Sequence, residues 1–148
     1  MKPAPRSRAQ RRHDTEHLLN SEVDLWVATS SPAGEPWLVP LSFEWDGTTL
    51  LLATSMNSRT GRNLADGAFR LGLGPTRDVA MIDGEVEVLE LDALPRERGD
   101  RFAERTGFDP RGLPGFNWFR VTPRRVQAWR DDSELSGRDL MRAGIWLT

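Results

Sequence analysis

The chain has 148 residues, a formal net charge of −2 and no cysteine. That length fits one domain, since domains most often hold about 100–150 residues, and the missing thiols exclude disulfides, thiolate metal sites and cysteine nucleophiles together. No apolar run approaches the roughly 18–20 residues that cross a bilayer, and the basic start MKPAPRSRAQRR is followed by no apolar leader segment, so the chain reads as a soluble, cytoplasmic protein with no membrane partner.

Lys2, Arg6, Arg8, Arg11 and Arg12 crowd the first dozen residues among prolines and small polar residues. This predicts a basic flexible tail over 1–12, ahead of a single domain over 13–148. The net negative charge gives the molecule no general attraction for nucleic acid. HDTEHLLNSEV then predicts a short helix capped by Asp14 or Thr15, with Leu18 and Leu19 on its buried side. LWVATSS (Leu25–Ser31) reads as a first strand, bounded by the Pro32-Ala33-Gly34 turn. Pro36–Trp45 is a second strand, in which Pro40 marks an edge or a bulge. Asp46-Gly47 is a two-residue hairpin signal. Thr48–Thr54 returns as a third strand whose Leu50, Leu51, Leu52 and Ala53 are apolar on both faces, so it is central.

Ser58–Asp66 predicts a short helix stopped by Gly67. Ala68–Gly74 is a fourth strand, with Gly72 and Gly74 permitting close backbone approach. Asp78–Leu91 is a long fifth strand in which Val86 and Val88 alternate with Glu85, Glu87 and Glu90. Leu94–Thr106 is an amphipathic helix with Pro95 near its first turn. The loop GFDPRGLPG leads to Asn117–Arg130, a last strand or pair of strands around Pro123. DDSELSGRDLMRAGIWLT carries no clear pattern. Short strands, tight turns and two helices fit a small closed or partly closed β-barrel, or an open α+β sheet.

Chemistry concentrates after the third strand, where Thr54, Ser55, Ser58, Arg59, Thr60, Arg62 and Asn63 follow one another. Hydroxyls, guanidiniums and the free N–H groups of a helix start make a receptor for phosphate if they converge. Ser58 is equally a plain N-cap, and Arg62 can pair with Asp66 at i,i+4. His13 and His17 share helical i,i+4 spacing without the glutamate of an HExxH metal motif, so no metal site is assigned. No serine sits in a GxSxG elbow, and histidine is confined to the N-terminal region, which leaves a hydrolytic triad without a base. Gly72–Pro75 is too short for a dinucleotide fingerprint. No side chain is assigned as catalytic.

The order LWVATSSPAGEPWLVPLSFEWDG, then LLLATSMNSRTGRNL, RLGLGP, GEVEVLE and FRVTPRRVQAW resembles the pyridoxamine 5′-phosphate oxidase-like superfamily of flavin-binding proteins. The resemblance covers roughly Leu18 to Arg130 and implies a mainly β, six-stranded split β-barrel with short helices. It implies a homodimer with two FMN sites at the subunit interface. The phosphate role falls on Thr54, Ser58, Arg59, Thr60, Arg62 and Asn63, and the flavin ring would lie against the backbone of Pro40, Leu41 and Ser42. Trp118 and Arg120 are the candidates for closing the site from the partner chain. Trp37, Trp45, Trp118 and Trp129 read as core or interface residues rather than ring-stacking partners, with Trp118 the one of the six tryptophans placed nearest a cofactor.

Relatives carry lysine in the phosphate loop where this chain has Thr60 or Gly61. The Ser-Arg-Lys motif and arginine-proline C-terminus of the biosynthetic oxidase are missing, so vitamin B6 synthesis is not expected. The resemblance implies an oxidoreductase moving hydride or electrons between FMN and a small organic substrate. The alternatives are a reductase using the 8-hydroxy-5-deazaflavin coenzyme, or a flavin carrier or sensor without turnover.

Overall fold

The Ser7 hydroxyl accepts a hydrogen bond from the Gln10 N–H at 3.0 Å and opens α1 (Arg8–Ser21). The helix thus begins a full turn and more ahead of Asp14 or Thr15, taking in Arg8, Arg11 and Arg12 from the stretch expected to be a flexible tail. The computed structural model describes residues 3–147, so Lys2 of that stretch lies outside the described residues. Long-range ion pairs explain the earlier start. Arg6 meets Glu134 at 2.8 Å, Asp14 at 2.9 Å and Asp78 at 3.0 Å. Arg11 donates to the Ala128 carbonyl at 3.2 Å. Leu19, on the buried side as expected, enters the barrel core.

β1 (Asp24–Ser30) turns Leu25, Val27 and Thr29 inward. β2 (Pro36–Trp45) runs antiparallel to it in unbroken register from Asp24 opposite Ser42 to Ser30 opposite Pro36. The Asp46 link is longer than a two-residue hairpin. Strands end at Trp45 and resume at Leu50, because the Asp46 carboxylate accepts from the N–H groups of Thr48 and Thr49 at 2.8 and 2.6 Å. An aspartate satisfying the backbone two and three residues on closes a wider turn.

β3 (Leu50–Ser55) is central as expected, lying between β2 and a later strand. α2 (Arg59–Ala65) follows, capped by Ser58 and ended before Gly67. β4 (Phe69–Leu73) pairs with β1 and with β5 (Val79–Leu89). α3 (Arg96–Thr106) starts after Pro95, and β6 (Phe116–Trp129) is one long strand pairing with both β5 and β3. Pairing of β3 with β6 closes the order β3-β2-β1-β4-β5-β6 into a six-stranded antiparallel barrel. Pro123 causes no break in β6. It faces Gly84 at a register shift, where a Cβ on Gly84 would stand 2.2 Å from the Thr122 carbonyl. A proline without an N–H and a glycine without a side chain let the two strands cross there.

The segment without clear pattern adds β7 (Asp139–Arg142) to β6 and β8 (Ile145–Trp146) to β7. The barrel interior holds Val27, Phe43, Leu50, Leu52, Leu64, Leu71, Ile82, Phe119 and Val121. A second apolar cluster, Leu51, Ala53, Phe102 and Trp118, forms on the other face of β3 and β6, where Phe102 brings in α3. Leucines at 50, 51 and 52 serve both clusters, which is why that run is apolar throughout.

Candidate functional site

β2 pairs with β3 only over Phe43–Trp45, although β2 reaches back to Pro36 and β3 on to Ser55. The strands therefore part at Ser42. The Phe43 N–H donates to Val23 at 2.9 Å, on the β1 side. By alternation, the nitrogens of Pro40 and Ser42 face the gap, and Pro40 sits where no donor is demanded. A cavity of about 410 Å³ opens there, lined by Asp24, Pro40, Leu41, Ser42, Ala53, Thr54, Phe102, Phe108 and Phe116. Four of the residues expected to bind cofactor thus share one cavity: Pro40, Leu41, Ser42 and Thr54. Its aromatic wall comes from α3, from the loop after it and from the first residue of β6, with Phe108 and Phe116 6.0 Å apart between ring centres.

The phosphate-loop residues divide. The Ser58 hydroxyl accepts from Gly61 N–H at 3.0 Å and donates to Ser55 carbonyl at 2.7 Å, so it is the helix cap. It also lies 3.4 Å from the Thr54 hydroxyl. Thr60 is buried and its hydroxyl accepts from Trp37 Nε1 at 3.1 Å. Asn63 is buried and donates to Thr29 at 3.1 Å, tying α2 to β1. Arg62 is exposed and turns back to the Asn57 carbonyl rather than to the Asp66 carboxylate. Arg59 is exposed, stacked over the Trp37 ring at 4.5 Å, and makes no hydrogen bond to the described residues. Stacking occupies the guanidinium face and leaves its donor edge free.

Trp118 is fully buried, donates Nε1 to the Leu91 carbonyl at 3.2 Å and meets the Phe102 ring edge-on at 5.0 Å. It is a packing residue between β6 and α3. Arg120 donates two 3.1 Å hydrogen bonds to Glu87 across β5 and β6, and the pairing lowers the Glu87 pKa and raises that of Arg120. Trp37 bridges β2 to α2, and Trp45 is buried. Asp24, Phe102, Phe108 and Phe116 were not singled out by sequence reasoning. The recurrence of phenylalanine around GFDPRGLPGF was the available signal. Ser42 donates to Asp24 Oδ1 at 2.6 Å, a side-chain pair at the cavity edge.

Residues 13–130 match the family described as pyridoxamine 5′-phosphate oxidase, so the chain belongs to that family. Among solved structures, an F420 reductase is 21% identical, with 75% of this chain and 94% of that one covered and a TM-score of 0.60. A heme binding protein from Mycobacterium smegmatis is 21% identical over 97% of this chain and 60% of that one, with a TM-score of 0.68. ChuZ from Campylobacter jejuni is 12% identical over 97% and 64%, with a TM-score of 0.76. These likenesses show a shared fold. None of the curated proteins matches the chain.

Proposed function

We propose that this member of the pyridoxamine 5′-phosphate oxidase family is an FMN-binding oxidoreductase that acts on a small organic substrate as a homodimer. The observation that carries the reading is the phenylalanine-walled cavity where β2 parts from β3. An unpaired strand edge beside aromatic walls suits a flat heterocycle that needs backbone partners along its rim and apolar cover on its faces.

The chain's own residues divide the work. Backbone groups at Pro40, Leu41 and Ser42 orient the ring, and Phe102, Phe108 and Phe116 exclude water beside it. Arg59, held by Trp37 with its donor edge free, anchors the phosphate together with the Thr54 hydroxyl. Ser58 sets the loop as its cap, while Thr60 and Asn63 hold α2 in place. FMN supplies the two-electron chemistry that no side chain here provides. Exposed Trp26 and Leu38 border an apolar groove of about 300 Å³ on the neighbouring barrel face, a surface suited to a second copy of the chain.

Haem fits the cavity poorly. Both histidines belong to α1, cysteine and tyrosine are missing from the sequence, and no lining residue is an ordinary axial ligand. The deazaflavin coenzyme is the alternative occupant. Expression in a host making FMN, deazaflavin and haem, followed by mass spectrometry of released small molecules, separates them. FMN is the expected product. Release of deazaflavin would reassign the cofactor, and release of haem alone would overturn the reading. Steady oxidation of NAD(P)H or of reduced deazaflavin by the loaded protein distinguishes an enzyme from a flavin carrier.

A further inference from the structure

Two cavities meet at Asp24. It lines the phenylalanine-walled cavity and also a second, of about 300 Å³, whose wall includes Glu22, Leu25, Trp26 and Gly74; Pro40 borders both. The chain contains nineteen arginines, yet among the described residues no cationic side chain lines either cavity. Among the described residues, Asp24 is the sole charged residue on the first wall, and Glu22 joins it on the second. The single Ser42 hydroxyl proton is directed to Asp24 Oδ1 at 2.6 Å. Toward the cavity, Ser42 therefore offers lone pairs, and Asp24 Oδ2, which bonds to no described residue, offers more. Both side chains present acceptors beside a negative charge.

We propose that Asp24 is the specificity-determining residue of this site. Held by Ser42, it selects ligands that place a cationic group or an N–H donor, such as an amine or amidine, at the junction of the two cavities. A ligand carboxylate in the same place meets a like charge and leaves both sets of acceptors unsatisfied. The proposal rests on the reading of the phenylalanine-walled cavity as the ligand site, and deepens it by naming the substrate class. Because Asp24 is exposed, solvent moderates the discrimination to about five- to tenfold at low salt.

Benzamidinium and benzoate share a planar ring and differ in the sign of their charge. Each is titrated into the full-length protein at low salt, with the indole N–H resonance of Trp26, on the wall of the second cavity, as the reporter. Wild type is expected to bind benzamidinium about fivefold or more tightly than benzoate. Asp24→Asn, which keeps the size and one acceptor but removes the charge, brings the ratio close to one. Equal affinities in wild type, or a preference that survives Asp24→Asn, overturns the proposal. FMN affinity is measured on the same samples. A benzamidinium preference without FMN binding would leave the Asp24 assignment standing and remove the flavin reading. Normal FMN binding without that preference removes the Asp24 assignment alone.

Discussion

The Arg59 guanidinium lies 4.5 Å from the centre of the Trp37 ring, and the same indole donates Nε1 to Thr60 at 3.1 Å. One tryptophan on β2 thereby fixes both the helix that carries the arginine and the arginine itself. An exposed cation–π contact contributes about 0.5–1 kcal/mol. Trp37→Ala is expected to weaken FMN binding about three- to fivefold, through loss of this pre-ordering, in a titration followed by flavin fluorescence. Trp37→Phe keeps the ring face and is expected to lose less.

Asn63 is expected to act on stability and not on cofactor affinity. Its amide donates to buried Thr29 on β1. Asn63→Ala leaves that hydroxyl short of a partner, and a buried polar group left so costs about 1–3 kcal/mol. Urea denaturation should show a lower midpoint, while the folded fraction binds FMN as wild type does.

Gly61 is a packing requirement of the loop. A Cβ there would stand 2.1 Å from the Ser55 carbonyl oxygen and 3.1 Å from Met56 Cα, both backbone atoms with little room to move. Gly61→Ala is expected to cost about 2 kcal/mol or more, within the range of overpacked sites. It should also release the end of β3 from α2, seen as faster amide exchange over Ser55–Arg59.

Acid sensitivity should centre on Glu134. Hydrogen bonds from the Arg6 side chain, opposed by burial and reinforced by the backbone N–H groups of Arg6 and Arg130, hold its pKa down at about 2, against an ordinary 4.5. A depressed folded-state pKa gives stability that is present in full above pH 4.5 and fades as pH falls from there toward 2. The difference corresponds to about 3 kcal/mol. Thermal melts across that window should show wild type losing stability steeply. Glu134→Gln, already weaker at neutral pH, should lose much less.

Most of the barrel was legible because its strands carry local signals. Pro36–Trp45 came out residue for residue, and Ser58 with Gly67 bounded α2 through cap chemistry that needs only near neighbours. What escaped was set by distant partners. The basic start reads as a tail until Glu134 and Asp78 are seen to neutralise Arg6 from the far end and the middle of the chain. The closing segment shows no period because β7 and β8 are short, β7 pairing with β6 and β8 with β7. At the site, residue type alone could not separate buried Thr60 and Asn63 from exposed Arg59, whereas the core reading of Trp118 holds, since it is buried against Leu91 and Phe102. The phenylalanines of the cavity come from three places in sequence that only the closed barrel brings together.

In the proposed function, Arg59 holds an anionic tail while the cavity between β2 and β3 holds a flavin ring. Parallel titrations of FMN and riboflavin, which differ by the phosphate, test it most directly. Wild type is expected to favour FMN by about 10- to 100-fold, matching a charge-assisted contact of about 1.5–3 kcal/mol, and Arg59→Ala to lose most of that preference, with the Thr54 hydroxyl keeping a small remainder. Equal affinities in wild type, or a phosphate preference undiminished in Arg59→Ala, would contradict it.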